Sequence, residues 1–133
     1  MPKFHTEIIS PFLVKESCEI EFSPEAPSEI QVHSQRFGSL SFKDSDLFSA
    51  LIQFRLHLEK DGYNLLCNAA RRDAYPSRMA RNMGGGKVVY LLKYGIQAER
   101  KDLVDAFGPT SVDQVCSVEE QRINFENWIR SLK

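Results

Sequence analysis

Residues 43–62, KDSDLFSALIQFRLHLEKDG, decide the fold class of this chain. At about 100° per residue, Leu47, Leu51, Phe54 and Leu58 fall on one side of a helix, and Phe48, Ile52 and Leu56 fall on a second. Only a strip around Ser49, Gln53, His57 and Lys60 stays polar. So wide an apolar arc predicts a packed, central helix. Asp44 or Ser45 is placed to cap its first turn, and Gly62 to terminate it.

Upstream, the period changes from helical to alternating. CEIEFS (18–23) alternates Ile20 and Phe22 with glutamates, and EIQVHS (29–34) alternates Ile30 and Val32 with polar residues. PEAPS (24–28) between them is a turn or loop. RFGSLSF (36–42) continues the pattern, with Gly38 marking a bend or bulge. The first 42 residues therefore read as an antiparallel meander with one polar, acidic face. Downstream, YNLLCN (63–68) and KVVYLLK (87–93) read as buried strands suited to a sheet interior. Residues 96–116 are irregular, with Gly108-Pro109 as a turn signal. A last helix opens with a capping box, Ser117 and Glu120, and carries Val118, Phe125, Trp128, Ile129 and Leu132 as its apolar face. The expected fold is α+β, a single domain over residues 1–133, mainly antiparallel sheet with a central helix and a C-terminal helix.

The 133 residues are enough for one domain with a hydrophobic core, and the net charge of −1 says little by itself. Its distribution says more. Residues 1–61 hold six Lys/Arg against ten Asp/Glu, a net of −4, and residues 62–100 hold seven against two, a net of +5. Charged partners suit such a chain. Cys18, Cys67 and Cys116 are far apart and form no CxxC pair, so local spacing builds neither a zinc ribbon nor a redox dithiol. Cys67 reads as a small buried hydrophobe. MPKFHTEIIS meets a glutamate at position 7 and reads as no secretory signal, and no segment is long and apolar enough to span a bilayer. A cytoplasmic, complete mature chain is expected.

The densest chemistry lies in RRDAYPSRMARNMGGGK, residues 71–87. It is not a Walker loop: five residues before Gly86-Lys87 stands Arg81, and Val88 follows where a hydroxyl is needed. It is not a dinucleotide fingerprint: Gly84 and Gly86 are followed by Val89 where the third glycine belongs. A short helix fits better, with Pro76 at its first position, Gly84 as its stop, and Met79 and Met83 anchored on the core. Arg78 and Arg81 then project together, Arg71 and Arg72 enter from the preceding strand, and Asp73 pairs with one of them. Arg71, Arg72, Asp73, Tyr75, Ser77, Arg78, Arg81 and Lys87 form a candidate site for an anion, a ligand or a partner. The competing reading is a solvated helix whose arginines pair with the acidic first half.

Catalytic groupings are thin. His5, His33 and His57 show no metal-binding spacing, and Ser77 has neither a nearby histidine nor a GxSxG elbow. No metal, no cofactor and no catalytic residue is expected, and an enzyme is the less favoured reading. RNA binding through the arginines with Tyr75, Tyr90 and Tyr94 is a third reading, opposed by the pI near 6.3.

The stretch YNLLCNAARRDAYPSRMARNMGGGKVVYLL, with DLVDAF and SVEEQRINFENWIRSL downstream, resembles small bacterial proteins, some of which serve as immunity partners of polymorphic or contact-dependent growth-inhibition toxins. The resemblance covers the part after position 62. It implies a non-enzymatic antitoxin-like protein whose partner is a cognate toxin domain, blocked at its active site or substrate surface. Many toxin domains are nucleases with basic grooves, so Glu19, Glu21, Asp44 and Asp46 are candidate acidic contacts. The alternative is a small protein or enzyme holding phosphate or nucleotide in the Arg71–Lys87 block.

Overall fold

The alternation of the first third folds as four antiparallel strands, β1 (Lys3–Ile9), β2 (Lys15–Phe22), β3 (Ser28–Ser34) and β4 (Gly38–Asp44). This comes from a computed structural model that describes residues 1–133 apart from Pro24, Ala26, Met83 and Gly84. The middle of the PEAPS turn, and the roles expected of Met83 and Gly84, therefore lie outside the described residues. A two-residue strand, β5 (Asn64–Leu65), pairs with the free side of β1 and completes the sheet order β4-β3-β2-β1-β5. Register sorts the side chains. Thr6, Cys18 and Ser34 align on one face, with Phe4, Ile20, Val32 and Leu40 in the next row, while His5, Glu19, His33 and Ser39 align on the other. Gly38, at φ +69, leaves the turn that joins β3 to β4 and pairs with Ser34, so it is a hairpin exit and not a bulge.

Helix α1 (Leu47–Glu59) lies across the apolar face of this sheet. Leu47, Leu51, Phe54 and Leu58 are at most 1% exposed, as their spacing predicts. Leu56 is not part of the buried face. It is 48% exposed, because it stands at the margin of the arc beside Ser49. The cap is neither Asp44 nor Ser45 but Asp46, whose Oδ1 accepts from the Ser49 N–H at 2.9 Å. Asp44 is still part of β4, paired with Ser28, so the helix cannot begin earlier. Beyond the other end, Gly62 has φ +77, and the Pro11 ring rests on it; a Cβ there would meet that ring at 3.1 Å.

The second half is broken into short pieces. A 3-10 turn (Asn68–Ala70), β6 (Ala74–Tyr75), α2 (Arg78–Asn82), β7 (Val88–Leu91) and β8 (Leu103–Asp105) precede α3 (Val118–Ser131). The expectation of two full buried strands is corrected here. YNLLCN contributes only β5 to the main sheet, and KVVYLLK supplies β7 to a separate antiparallel sheet of order β6-β7-β8. Phe107, after β8, packs against Phe4 and Phe22 of the first sheet and joins the two. Free thiols Cys18 and Cys67 lie in the shared core, and burial pushes them up to about 12 and about 11. The fold is α+β with antiparallel sheets, and among the described residues no helix is long and apolar enough to cross a membrane.

Helix α3 departs from its expected apolar face. Ser117 Oγ accepts from the Glu120 N–H at 3.1 Å, but no bond returns from Glu120 among the described residues; instead Glu59 of α1 accepts from the Val118 N–H. Phe125 and Trp128 are half-buried, whereas Ile129 is 41% exposed. The residue α3 buries fully is Gln121. Its Oε1 accepts from Nη1 of Arg55 at 2.5 Å, and its Nε2 donates to the carbonyls of Ala69, Arg71 and Ala74 at 2.8 to 3.0 Å. Arg55, itself 2% exposed, also reaches the carbonyls of Ala69 and Cys116. Burial pulls its guanidinium below its ordinary range. Two buried polar side chains thus fasten α1, α3 and the segment between them, a role the sequence reading missed. The signal was present, since Arg55 stands three residues before Leu58 and four after Leu51, inside the apolar arc.

Candidate functional site

The arginine block is positioned by β6, the cap of α2 and the return into β7. Ser77 Oγ accepts from the Ala80 N–H at 2.9 Å, so Ser77 caps α2 and the buried Pro76 precedes the cap instead of opening the helix. With only five residues in α2, one turn sets the faces: Ala80 is the buried residue and Met79 is 68% exposed. The expectation that Met79 anchors the helix is therefore wrong.

The arginines do not form one cluster. Arg71 binds Asp73 through two hydrogen bonds of 2.8 Å, and these hold its guanidinium above its ordinary range. Arg72 turns toward the carbonyls of Asp113 and Val115. Arg81 lies over the rings of Phe48 and Tyr75, 5.1 and 5.3 Å from their centroids, with Nη1 3.4 Å from Ser49 Oγ. Tyr75 in turn stacks on Phe125 at 4.0 Å and 11°. Arg78 is exposed, whereas Arg81 is half-buried against these rings. Lys87 is exposed on the side of the second sheet, 6.0 Å from the Phe22 ring. Three of the four arginines are thus engaged in the protein's own architecture.

The glycines have a packing role. The carbonyl of Gly85 accepts from the Leu47 N–H at 3.0 Å, which satisfies one of the free donors at the start of α1. Gly86, at φ +78, lies so close to that turn that a Cβ would stand 2.7 Å from the Phe48 nitrogen. Only glycine fits there. A helix start that could face an anion is occupied by Asp46 and by this loop.

The four acidic candidates divide into two groups. Glu19 and Glu21 share the outer face of the main sheet, where Lys3 Nζ lies 3.3 Å from one and 3.8 Å from the other. His5 stands 3.8 Å from Glu19, and His33 4.0 Å from Glu21. Asp46 is buried as a cap and is not a surface contact. Asp44 accepts from Gln53 Nε2 at 2.9 Å and from the Ser45 N–H at 2.7 Å, bonds that hold its carboxyl below the usual range. Among the described residues, no three His, Cys, Asp or Glu side chains gather where they could hold a metal ion.

A cleft of about 270 Å³ opens between β6 and α3, lined by Ala74, Leu92, Tyr94, Phe125 and Trp128 among others. Tyr94 is 80% exposed there. The Trp128 N–H already donates to the Ile96 carbonyl at 3.0 Å. Sequence reasoning missed this cleft because its walls come from elements far apart in the chain. It also missed the loop between β1 and β2, where Phe12, Leu13 and Val14 are 87%, 70% and 64% exposed. The signal there was three successive apolar residues after a proline, between two alternating strands. No protein-family model matches the chain, and no curated protein is significantly similar to it.

Proposed function

We propose that the chain is a non-enzymatic binding protein of the immunity kind, which neutralises a toxin domain by covering its active site or substrate surface. One observation carries this reading. The outer face of the main sheet is an open, charged platform on which Glu19 and Glu21 stand side by side, only partly balanced by Lys3. An acidic face of this kind suits the basic groove of an enzyme that acts on a charged polymer, because complementary charge speeds encounter and fixes orientation. A cytoplasmic location belongs to the same reading and is supported by three cysteines kept as free thiols.

The competing reading, a phosphate or nucleotide held by the 71–87 block, has weaker support. Arg71, Arg72 and Arg81 already have partners within the chain, which leaves Arg78 and Lys87 as the cations of the set with no side-chain hydrogen bond or ion pair among the described residues. RNA binding loses Tyr75, whose faces are taken by Phe125 and Arg81.

Native co-purification with identification of the partner tests the proposal. Glu19→Lys with Glu21→Lys should then weaken the purified pair by about tenfold or more, mainly through slower association, with only a small fall in melting temperature from the lost Lys3 pairs. A partner whose binding ignores this double reversal would remove the platform from the interface. If phosphate-bearing compounds raise the melting temperature and Arg78→Ala with Lys87→Ala abolishes the rise, the ligand reading replaces it.

A further inference from the structure

The loop between β1 and β2 places its most apolar residues in water and holds them there. Four hydrogen bonds centred on Ser10 close the turn. Its N–H donates to the Val14 carbonyl at 3.0 Å and its carbonyl accepts from Leu13 at 2.9 Å, while its Oγ accepts from Phe12 and Val14 at 3.2 and 3.1 Å. Pro11 stiffens the base and rests on Gly62 at the far end of α1. Leu13 sits at φ +65, a left-handed conformation that branched side chains rarely adopt, and it is the one such non-glycine position among the described residues. Glycine or asparagine would meet that backbone more easily. A leucine in strain and in water, flanked by Phe12 and Val14, which are also exposed, contributes nothing to the core. Strained, solvent-exposed apolar positions recur where a surface is shaped for contact.

We propose that Phe12, Leu13 and Val14 are a preformed anchor that inserts into an apolar socket on a partner protein. The inference rests on the binding reading above and names the contact that supplies most of its affinity. A lipid surface fits less well. Attraction to anionic lipid is strengthened by a collar of cations, whereas Lys15 beside the tip is followed by Glu16, and Lys60, near the Gly62 that Pro11 rests on, stands between Glu59 and Asp61. Strand β2 leaves the tip at Lys15 and carries Glu19 and Glu21 toward its far end. The complementary partner therefore has an apolar pocket for the tip and basic groups farther along that meet the two glutamates. A rigid aromatic and an aliphatic side chain at the centre, with charge beside them, is the composition of an interface hot spot.

The test uses the full chain in its native host, with a photo-crosslinking phenylalanine analogue at position 12, at Glu21, or at Arg130 on the exposed side of α3. The polypeptide captured from position 12 is then purified and titrated against the wild-type protein and against Phe12→Ser with Leu13→Ser. The proposal expects capture from position 12 and not from 130, and a loss of affinity of about 30-fold or more with an unchanged melting temperature. Equal affinity for the double variant would overturn the anchor and leave the protein-binding reading standing, as would capture from position 21 alone. Capture from none of the three positions would sink both. Co-sedimentation of the wild type, but not the variant, with phosphatidylcholine–phosphatidylserine vesicles would overturn the protein socket in favour of a membrane.

Discussion

Arg55 with Gln121, and Phe12 with Leu13, break the usual partition of polar and apolar residues in opposite directions. The first pair is buried to within 2% of complete, and the second is at least 70% exposed. Both are held in place by dense hydrogen bonding, so neither arrangement is slack. The difference lies in what the bonds satisfy. Around Arg55 and Gln121 they consume side-chain donors that burial would otherwise orphan, along with carbonyls from the segment between α1 and α3. Around Ser10 they consume only the turn's own backbone and leave the apolar side chains unused. The buried pair is accounted for by the protein itself; the exposed one points outward for its explanation.

Arg55→Met would break the comparison most visibly. It strands Gln121 Oε1 and the Cys116 carbonyl, and should cost about 3 kcal/mol, read as a fall of about 10 °C in Tm. Adding Gln121→Leu should cost less than the sum of the two single changes, with a coupling of about 1 kcal/mol or more in a denaturation cycle. Additivity would show that the two side chains act separately. An ordinary steric defect sets the middle of the scale. Gly86→Ala forces a Cβ onto the Phe48 nitrogen at positive φ, and urea denaturation should report a loss of about 2 kcal/mol. Smallest of all should be Leu13→Gly, where relief of strain offsets the entropy of glycine and stability changes by about 0.5 kcal/mol or less. A large loss at Leu13 would make the tip structural and sharpen the contrast against us.

How much of this could be read beforehand follows from segment length. Helix α1 was legible because thirteen residues repeat the helical period several times, and the meander because Ile20, Phe22, Ile30 and Val32 keep strict alternation. Two-residue strands such as β5 and β6 carry no period, so the second sheet was invisible. In α2 a single turn could not decide between Met79 and Ala80 as the buried position. The cap was misplaced by one or two residues because Asp44, Ser45 and Asp46 are all competent, and the pairing of Asp44 with Ser28 excludes the earliest start. For the site, the Arg71–Asp73 pair was readable from adjacency. The fate of Arg81 was not, since both rings beneath it come from other elements.

The contact between Arg55 and Gln121 also sets an order of events during synthesis. Arg55 and the sheet beneath it emerge from the ribosome long before α3. Until Gln121 follows, the guanidinium has the Ala69 carbonyl but lacks its Gln121 acceptor. A product broken off before α3 would leave the Arg55 guanidinium without the Gln121 acceptor, at the cost of an unsatisfied donor. The last helix thus completes bonding that the earlier part of the chain begins.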